Sequence, residues 1–301
     1  SRKRARRLAA LRTMPRAYSR VCRIAALYAS FPNIFAAAAS KMRLDSYLAE
    51  NGYAKSRTFA KTLIDGGFVN VNGKKANKAS LDILDGDTVE VTGKPYEYVS
   101  RGGLKLEAAL DAFGVDPSGK VCVDIGASSG GFTDCLLRRG AVRVFAVDSG
   151  SDQLDASLRA DGRVVSMENF NARYLTAEAI GTLCDIAVCD VSFISQTLII
   201  PAVRRLLCED GVYICLVKPQ FECGKSALGK NGVVKSKKEH YRAVKNVIGC
   251  AEENGFSAVG VIASPICGSD GNREFLLKLV PKTLGGSFAV GDDEVKKVCG
   301  I

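Results

Sequence analysis

Four charged side chains lie beside apolar sequence, three of them at strand ends and one ahead of the first strand. Lys105 precedes the first strand of a large domain, Asp190 and Lys218 each end a later strand, and Glu274 opens the last one, Phe275–Val280. A buried lysine without a partner is costly, so we expect these lysines and carboxylates to pair in one cleft. The alternative is four separate, solvated strand-end charges. If they do converge, a lysine that is partly desolvated and lies close to the second lysine can accept a proton from a weak acid.

A glycine-rich turn follows the first strand, and an acidic residue ends the second. The turn reads Asp124-Ile-Gly126-Ala-Ser128-Ser-Gly130-Gly131-Phe132. Glycine there lets the backbone approach a ligand that a Cβ atom would exclude. Asp148 ends the next strand, where a carboxylate can accept hydrogen bonds from a ribose diol. An acidic end of the first strand, a glycine loop and an acidic end of the second strand are together typical of an S-adenosylmethionine site. The spacing is not the G-x-G-x-x-G of dinucleotide sites, so it gives a dinucleotide site little support.

Two other kinds of site fit these residues poorly. Gly126 to Gly130 also satisfies G-x-S-x-G, the nucleophile elbow of α/β-hydrolases, but the single histidine, His240, lies at a lysine-rich helix start. The eleven cysteines form no C-x-x-C pair, so we predict no metal site. Many lie within apolar runs and are typical of buried thiols in a reducing compartment, which we take to be the cytoplasm.

Strands and helices alternate along the part of the chain that carries these residues. The predicted strands are Val121–Ile125, Val142–Val147, Arg163–Met167, Asp185–Cys189, Val212–Val217, Ser257–Ala263 and Phe275–Val280. Predicted helices include Phe132–Arg139, Thr197–Cys208 and one that starts at Ser236 with a capping box. Apolar strands separated by helices predict a parallel, doubly wound α/β sheet, which binds ligands at the carboxyl ends of its strands.

A small α+β module precedes this sheet. A short amphipathic helix near Leu44–Leu48 is followed by a second helix that Ser56 can cap, and Gly66-Gly67 end it. The strand Phe68–Val71 then runs into Asn72-Gly73, the strongest short hairpin signal. We therefore divide the chain into a leader (1–41), a small domain (42–98), a large domain (99–282) and a C-terminal tail (283–301).

The net charge of +10 is confined to the leader. Residues 1–41 hold ten Lys or Arg and no acidic residue, which leaves 32 basic and 32 acidic residues in the rest. Bulk charge therefore does not indicate what the folded part binds. The leader fits an upstream extension of a protein that begins at Met42, a transit peptide or, least well, a secretory signal. We predict no membrane span, since its uncharged stretch is short and contains Pro32.

Four motifs of the large domain closely resemble the TlyA family of ribosomal RNA 2′-O-methyltransferases. They are Ser100-Arg-Gly-Gly-x-Lys105-Leu, Asp124-Ile-Gly-Ala-Ser-x-Gly-Gly-Phe-Thr-Asp134, Asp190-Val-Ser-Phe-Ile-Ser195 and Val217-Lys-Pro-Gln-Phe-Glu222. The resemblance extends from Met42 to about Lys282 and implies a Rossmann-like methyltransferase sheet. It also implies that Lys105, Asp190, Lys218 and Glu274 form the Lys-Asp-Lys-Glu catalytic tetrad of this family and of the related FtsJ group.

The resemblance also implies the cofactor and the residues that bind it. S-adenosylmethionine is expected to contact nine residues: Asp124, Gly126, Ser128, Gly130, Gly131, Phe132, Asp148, Asn171 and Asp190. Asn171 follows the third strand and is equally typical of a turn residue. We hypothesise that Lys218 accepts the proton of the ribose 2′-hydroxyl while Asp190 and Glu274 hold the two lysines.

The small domain resembles the RNA-binding module of ribosomal protein S-four. The shared motifs are Arg43-Leu-Asp45, Ser56-Arg57, Gly67-x-Val-x-Val-Asn-Gly-Lys74 and Gly86-Asp-x-Val89. The resemblance implies that Arg43, Arg57 and Lys61 face RNA phosphates. We add Arg101, at the start of the large domain, to the predicted RNA-binding residues. The alternative is an ordinary solvated helix face, because residues 42–98 hold eight basic and eight acidic residues.

Two further features can serve RNA binding or have a plain structural role. The first is a glycine-containing basic loop, which either clamps RNA or is an ordinary solvated loop. It contains lysines 225, 230, 235, 237 and 238. Phe193 or Phe221 stacks on a target base or belongs to the core.

The family resemblance implies methylation of a cytidine ribose in ribosomal RNA, within small or large ribosomal subunits. Two alternatives are a noncatalytic RNA-binding or ribosome-assembly protein and, from the hemolysin label of the family, a membrane-lytic protein. The sequence indicates no membrane partner and does not fix an oligomeric state.

Overall fold

The computed structural model describes residues 41–268, 270–285 and 289–301. Contacts divide the chain into two compact units, residues 1–95 and 96–301. The predictions made for the leader lie outside the described residues, apart from Lys41. Within the described residues, no helix is long and apolar enough to cross a membrane.

In its described residues, the small unit contains two helices and two small antiparallel sheets. Its elements are β1 (Met42–Arg43), α1 (Leu44–Glu50), α2 (Arg57–Asp65), β2 (Val69–Val71), β3 (Lys74–Lys75), β4 (Asp82–Ile83) and β5 (Val89–Val91). Strand β1 pairs with β4, and β2 lies between β3 and β5. Leu44, Leu48, Leu63, Ile64 and Val69 form the centre of its core.

Local sequence signals account for the boundaries in this unit. The Ser56 hydroxyl accepts a hydrogen bond from the Phe59 N–H at 3.2 Å and so caps α2, as predicted. Asn72 and Gly73 both have positive φ angles, +51° and +73°, which is the geometry of a type I′ hairpin turn. Both sequence predictions are confirmed.

The large unit is a seven-stranded sheet with helices on both faces. Its strands are β6 (Val121–Ile125), β7 (Arg143–Val147), β8 (Val164–Met167), β9 (Cys184–Cys189), β10 (Leu207–Val217), β11 (Phe256–Ala263) and β12 (Phe275–Pro281). They lie in the order β11-β12-β10-β9-β6-β7-β8. The doubly wound α/β prediction is confirmed, and the seven predicted strands agree closely with the observed ones except that β10 starts earlier.

Nine α-helices surround this sheet in the described residues. They are α3 (Gly102–Phe113), α4 (Gly131–Arg138), α5 (Ala156–Arg159), α6 (Ala177–Ile180), α7 (Ile200–Leu206), α8 (Pro219–Glu222), α9 (Lys237–Glu253), α10 (Lys282–Gly285) and α11 (Asp292–Cys299). Alternate strand residues enter opposite cores: Val123 and Ile125 pack with α7 and α9, whereas Cys122 packs with α3 and α4. Val295 and Cys299 of α11 are buried in the first core, so part of the predicted tail is an integral helix.

The expectation that every strand runs parallel is wrong for β12. This strand is antiparallel to both of its neighbours, β10 and β11. The reason is the connection from Ala263 to Phe275, which holds no helix in its described residues, whereas a parallel crossover generally requires one. The reversal places the start of β12 at the edge where the parallel strands end, and so brings Glu274 beside Asp190 and Lys218.

Candidate active site

The candidate site lies where the strand order reverses between β6 and β9. From β6 the chain continues to β7 and β8 on one side, whereas β9 and β10 lie on the other. The loops that leave β6 and β9 therefore diverge and open a crevice at the carboxyl edge of the sheet. Lys218, directly after β10, and Glu274, directly before β12, reach the same edge.

The four predicted catalytic side chains form one continuous chain of ion pairs. Lys105 Nζ lies 2.6 Å from Glu274 Oε2 and 3.8 Å from Asp190 Oδ2. Lys218 Nζ lies 2.6 Å from Asp190 Oδ1 and donates a hydrogen bond to Ser192 Oγ at 2.8 Å. The structure therefore brings together all four residues in the order Glu274, Lys105, Asp190, Lys218, and we call them the charged tetrad.

Burial makes this pairing obligatory. The side chains of Glu274, Lys105 and Lys218 are 2%, 7% and 9% exposed, and that of Asp190 is 20% exposed. Two ammonium groups alternate with two carboxylates, so the opposite charges compensate each other's loss of hydration. The alternative of four separate solvated charges is excluded. Asp190, which contacts both lysines, remains the most accessible member.

Lys105 is positioned by α3, a helix that we did not identify from the sequence. Leu106, Ala109 and Leu110 are buried on its inner face, and Gly114 ends it with a φ of +59°. Their i, i+3, i+4 spacing before a glycine was the available signal. A Cβ atom on Gly131, at the start of α4, would lie 3.0 Å from the Gly103 nitrogen. The close approach of the two helix starts thus depends on glycine.

The glycine turn after β6 brings the backbone against the loop that follows β9. Gly126 has a φ of +82°, and a Cβ atom there would lie 2.6 Å from the Asp190 carbonyl oxygen. Gly130 has a φ of +94° and faces Leu158 and Leu154, so its role is packing. The turn therefore forms one wall of the crevice, and Asp190 forms the other.

Two adjoining clefts occupy the crevice. The first, of about 390 Å³, is lined by the charged tetrad together with Arg101, Gly131 and Phe132. The second, of about 400 Å³, is lined by Asp148, Asn171, Phe170 and Arg173. Gly126, Ser128 and Asp190 line both clefts. A ligand in the second cleft would thus be separated from the tetrad only by the glycine turn and the Asp190 loop.

Asp124, like Gly130, lines neither cleft, in contrast to the other predicted cofactor residues of the turn. It has no exposed surface, and its Oδ2 accepts a hydrogen bond from Thr133 Oγ1 at 2.7 Å. Its Oδ1 is buried and has no hydrogen-bond partner among the described residues. Burial, together with the smaller effect of the nearby Asp190, raises the pKa of Asp124 to about 7 against the lowering effect of the Thr133 hydrogen bond.

Asp148 and Asn171 line the second cleft and also hold the local backbone. The Asp148 carboxylate accepts hydrogen bonds from the Ser128 N–H at 2.8 Å and the Gly150 N–H at 2.7 Å. Asn171 Oδ1 accepts one from the Arg173 N–H at 3.1 Å and caps the following 3₁₀ turn. Asn171 therefore has the role of a turn residue. It also lines the cleft, so its side chain can contact a ligand as well.

In the small unit, two of the three predicted RNA-binding residues contact one carboxylate. Arg43 contacts both oxygens of Asp45 at 3.0 Å, and Arg57 contacts Oδ2 at 3.0 Å. Hydrogen bonds from Arg43, partly offset by burial, lower the pKa of Asp45 well below its usual range. Lys61 is exposed one helical turn after Arg57. Asp45 thus fixes two exposed guanidinium groups on the same surface.

Sequence reasoning missed several polar residues that hold the site together. Ser192 accepts the hydrogen bond from Lys218, and Glu222 accepts one from Ser195 at 2.5 Å. These residues lie within the motifs quoted above, but a single sequence does not reveal pairing between two loops. Within the described residues, no group of three or more His, Cys, Asp or Glu side chains is arranged to hold a metal ion.

Comparisons with known proteins agree with this geometry. Residues 98–280 match the family described as FtsJ-like methyltransferase, and residues 42–89 match the S4 domain. The 16S/23S rRNA (cytidine-2′-O)-methyltransferase TlyA of Mycobacterium tuberculosis is 44% identical over 246 residues, which cover 81% of this chain and 92% of that protein. Hemolysin A of Brachyspira hyodysenteriae is 42% identical over 240 residues, 79% of this chain and all of that protein.

A solved structure extends the similarity to the fold. A protein of Streptococcus thermophilus, described as a candidate hemolysin, superposes with a TM-score of 0.69 at 40% identity and covers 86% of this chain and 94% of its own. The family match covers more than half of this chain, and its relatives match over nearly their whole length. This chain therefore belongs to the FtsJ-like methyltransferase family, in the TlyA group that joins an S4 domain to the methyltransferase domain.

Proposed function

We propose that this protein transfers a methyl group from S-adenosylmethionine to the ribose 2′-hydroxyl of a cytidine in ribosomal RNA. The observation that carries the proposal is the charged tetrad, buried at the switch point and open to a cleft through Asp190. The Mycobacterium tuberculosis relative is named for this reaction on 16S and 23S rRNA. We infer that the substrate is RNA of the small or the large ribosomal subunit and that the enzyme acts in the cytoplasm, where ribosomes are assembled.

The second cleft fits S-adenosylmethionine. A Cβ atom on Gly126 would obstruct the wall that the two clefts share, and Asp148 and Asn171 offer polar atoms at the ends of the second and third strands. Gly126, Ser128, Asp148, Asn171 and Asp190 would hold the cofactor. When bound, S-adenosylmethionine supplies an electrophilic methyl group.

The tetrad supplies the proton acceptor that the reaction needs. A ribose hydroxyl is a weak nucleophile at neutral pH, so the protein has to align it and remove one proton. Lys218 faces the first cleft and, once its own Nζ has lost a proton to solvent and is a neutral amine, accepts the hydroxyl proton there, while Asp190, 2.6 Å away, fixes its position. Glu274 holds Lys105 on the other side of Asp190, which keeps the buried charges balanced.

Aromatic and basic groups favour an RNA substrate over a small alcohol. Phe193 is 92% exposed, has a φ of +63° and contacts the Phe221 ring at a centroid distance of 5.2 Å. A bulky, exposed residue in the left-handed region indicates a functional role. The role of Phe193 is to stack on the target base. Arg101 lines the same cleft, where it binds phosphate. Arg43, Arg57 and Lys61 bind RNA through the S4 domain.

Methyl transfer to purified ribosomal subunits tests the proposal. Subunits from a strain that lacks the native enzyme are incubated with radiolabelled S-adenosylmethionine and either the wild-type protein, Lys218→Ala or the exposed control Lys282→Ala. We expect label at an alkali-resistant linkage with the wild type and the control. The rate should fall by about 10²- to 10⁴-fold with Lys218→Ala, while cofactor affinity is nearly unchanged.

Each other result identifies a different error. Full activity of Lys218→Ala would refute the role of this lysine but not the reaction. RNA binding without any label, by a folded wild-type protein that binds S-adenosylmethionine, would favour a noncatalytic ribosome-assembly protein. Label at an alkali-sensitive position would place the methyl group elsewhere than on the ribose.

A further inference from the structure

The two loops that carry the tetrad's central ion pair are joined a second time by Glu222. This residue ends α8, the short helix that begins directly after Lys218. Its Oε2 accepts a hydrogen bond from Ser195 Oγ at 2.5 Å, and its Oε1 accepts one from the Gln196 N–H at 2.8 Å. Both donors follow Asp190 on the neighbouring loop. One carboxylate therefore connects the loop after β9 to the helix after β10.

The contacts between the two segments are in register. Lys218 contacts Asp190 and Ser192, the Phe221 ring packs on the Phe193 ring, and Glu222 follows with its two acceptors. Residues 218, 221 and 222 share one face of a single helical turn. Their partners follow in the same order along the loop. The two segments therefore close together as a unit, which we call the loop clamp.

The far end of the loop clamp is anchored in the core. The side chain of Gln196 is buried; its Nε2 donates to the Leu216 carbonyl at 3.1 Å and its Oε1 accepts from the Tyr213 hydroxyl at 2.8 Å. Both partners belong to β10. Because Gln196 is fixed to the sheet, its N–H holds Glu222 against a rigid element rather than a free loop. Partial burial raises the pKa of Glu222, partly offset by its hydrogen bond from Ser195.

Phe193 is the residue whose conformation this arrangement constrains. Its positive φ is unfavourable for a bulky L-residue and persists only where the surroundings enforce it. Because its ring is almost wholly exposed, core packing does not enforce it. Hydrogen bonds instead fix the side chains of Ser192 on one side and Ser195 on the other. The Phe193 ring is thus held out towards the cleft by its neighbours.

We propose that Glu222 is a positioning residue that closes the loop clamp, so that Phe193 projects over the cleft and Asp190 stays against Lys218. The inference rests on the proposed function, because it concerns the same site. It adds a residue that touches neither the substrate nor the cofactor but determines the geometry of those that do. Gln196 and Ser195 are its partners in this role.

A fluorescence experiment tests the clamp without requiring catalysis. The chain contains no tryptophan, so Phe193→Trp introduces a single reporter at the exposed position. Time-resolved anisotropy of this tryptophan is measured alone and combined with Glu222→Gln, Glu222→Ala, Ser195→Ala or the exposed control Glu253→Gln. We expect faster and wider local motion with each clamp variant and no change with Glu253→Gln. Unchanged anisotropy in every folded clamp variant overturns the proposal.

Kinetics without the reporter provide the second readout. Glu222→Gln keeps the size of the side chain but replaces one acceptor oxygen by a donor, so we expect kcat to fall by about 10- to 100-fold. S-adenosylmethionine affinity and the thermal midpoint should stay close to those of the wild type. Ser195→Ala and Glu222→Gln should be strongly non-additive in kcat, because both break the same link.

The outcomes separate this inference from the proposed function. If the wild type does not methylate RNA, the proposed function fails, and the anisotropy still supports or overturns the clamp. If the wild type is active and Glu222→Gln retains full kcat, the positioning role is wrong. Should Glu222→Ala not fold, Ser195→Ala and Glu222→Gln carry the test, because each removes only part of the link.

Discussion

The buried carboxyl of Asp124 makes a quantitative prediction about stability and pH. Its folded-state pKa of about 7 compares with 3.8 for an ordinary aspartate. The native state therefore retains a proton that the unfolded chain releases as pH rises above 3.8. The free energy of unfolding therefore falls progressively as the pH rises from 3.8 to about 7, the two pKa values of this carboxyl. Since one pKa unit corresponds to about 1.4 kcal/mol, Asp124 alone should lower the free energy of unfolding by about 3 kcal/mol between pH 5 and pH 8.

Asp124→Asn is the matched perturbation. An amide can still accept the Thr133 hydrogen bond through its oxygen, but its NH₂ group replaces an Oδ1 atom that has no partner. The unsatisfied donor imposes a cost of about 1–3 kcal/mol that does not depend on pH. The informative quantity is therefore not the stability at one pH but the change with pH of the difference between variant and wild type.

Urea denaturation from pH 5 to pH 8 measures that difference. We expect the variant to gain about 3 kcal/mol relative to the wild type across this range. The exposed Asp210→Asn serves as control and should show no comparable gain. A difference between Asp124→Asn and wild type that is flat with pH would refute the reasoning, because it would mean that Asp124 releases its proton equally in both states.

Two further predictions concern the glycine turn and the S4 domain. Gly126→Ala should abolish methyl transfer and lower the thermal midpoint, because the new Cβ atom would lie 2.6 Å from the Asp190 carbonyl oxygen and the backbone there is left-handed. The control is Gly162→Ala, which should be nearly neutral in both assays because a Cβ atom there meets nothing within 4 Å. Arg57→Ala should weaken RNA binding and reduce the slope of log affinity against log salt concentration by about one. Titrations at several salt concentrations measure this slope, and the exposed control Arg205→Ala should leave it unchanged.

Most secondary structure in the described residues was predictable because it depends on local signals. The apolar strand runs, the Ser56 cap and the Asn72-Gly73 turn each determine their own segment. Convergence of the charged tetrad was also a sound expectation, since a buried lysine requires a carboxylate. The helix that carries Lys105 also has a local signal, the apolar spacing before Gly114, but it was not among the predicted helices.

What the sequence did not reveal depends on contacts between distant segments. The reversed direction of β12 follows from a helix-free connection, which single-sequence patterns identify poorly. Asp124 stands in the same turn as cleft residues, yet strand alternation points it towards the core beneath α4. The clamp between Glu222 and Ser195 joins two motifs 27 residues apart, and nothing local predicts that pairing.

The reversal of β12 also bears on how the protein is made. Glu274 pairs with Lys105 across 169 residues of sequence, and the strand that brings it into place is the last of the sheet. A chain synthesised from its N-terminus therefore completes the glycine turn, Asp190 and Lys218 before it acquires the main partner of Lys105. Until that strand docks, the nascent methyltransferase holds one lysine too many for its carboxylates, so the step that completes the sheet also completes the charged tetrad.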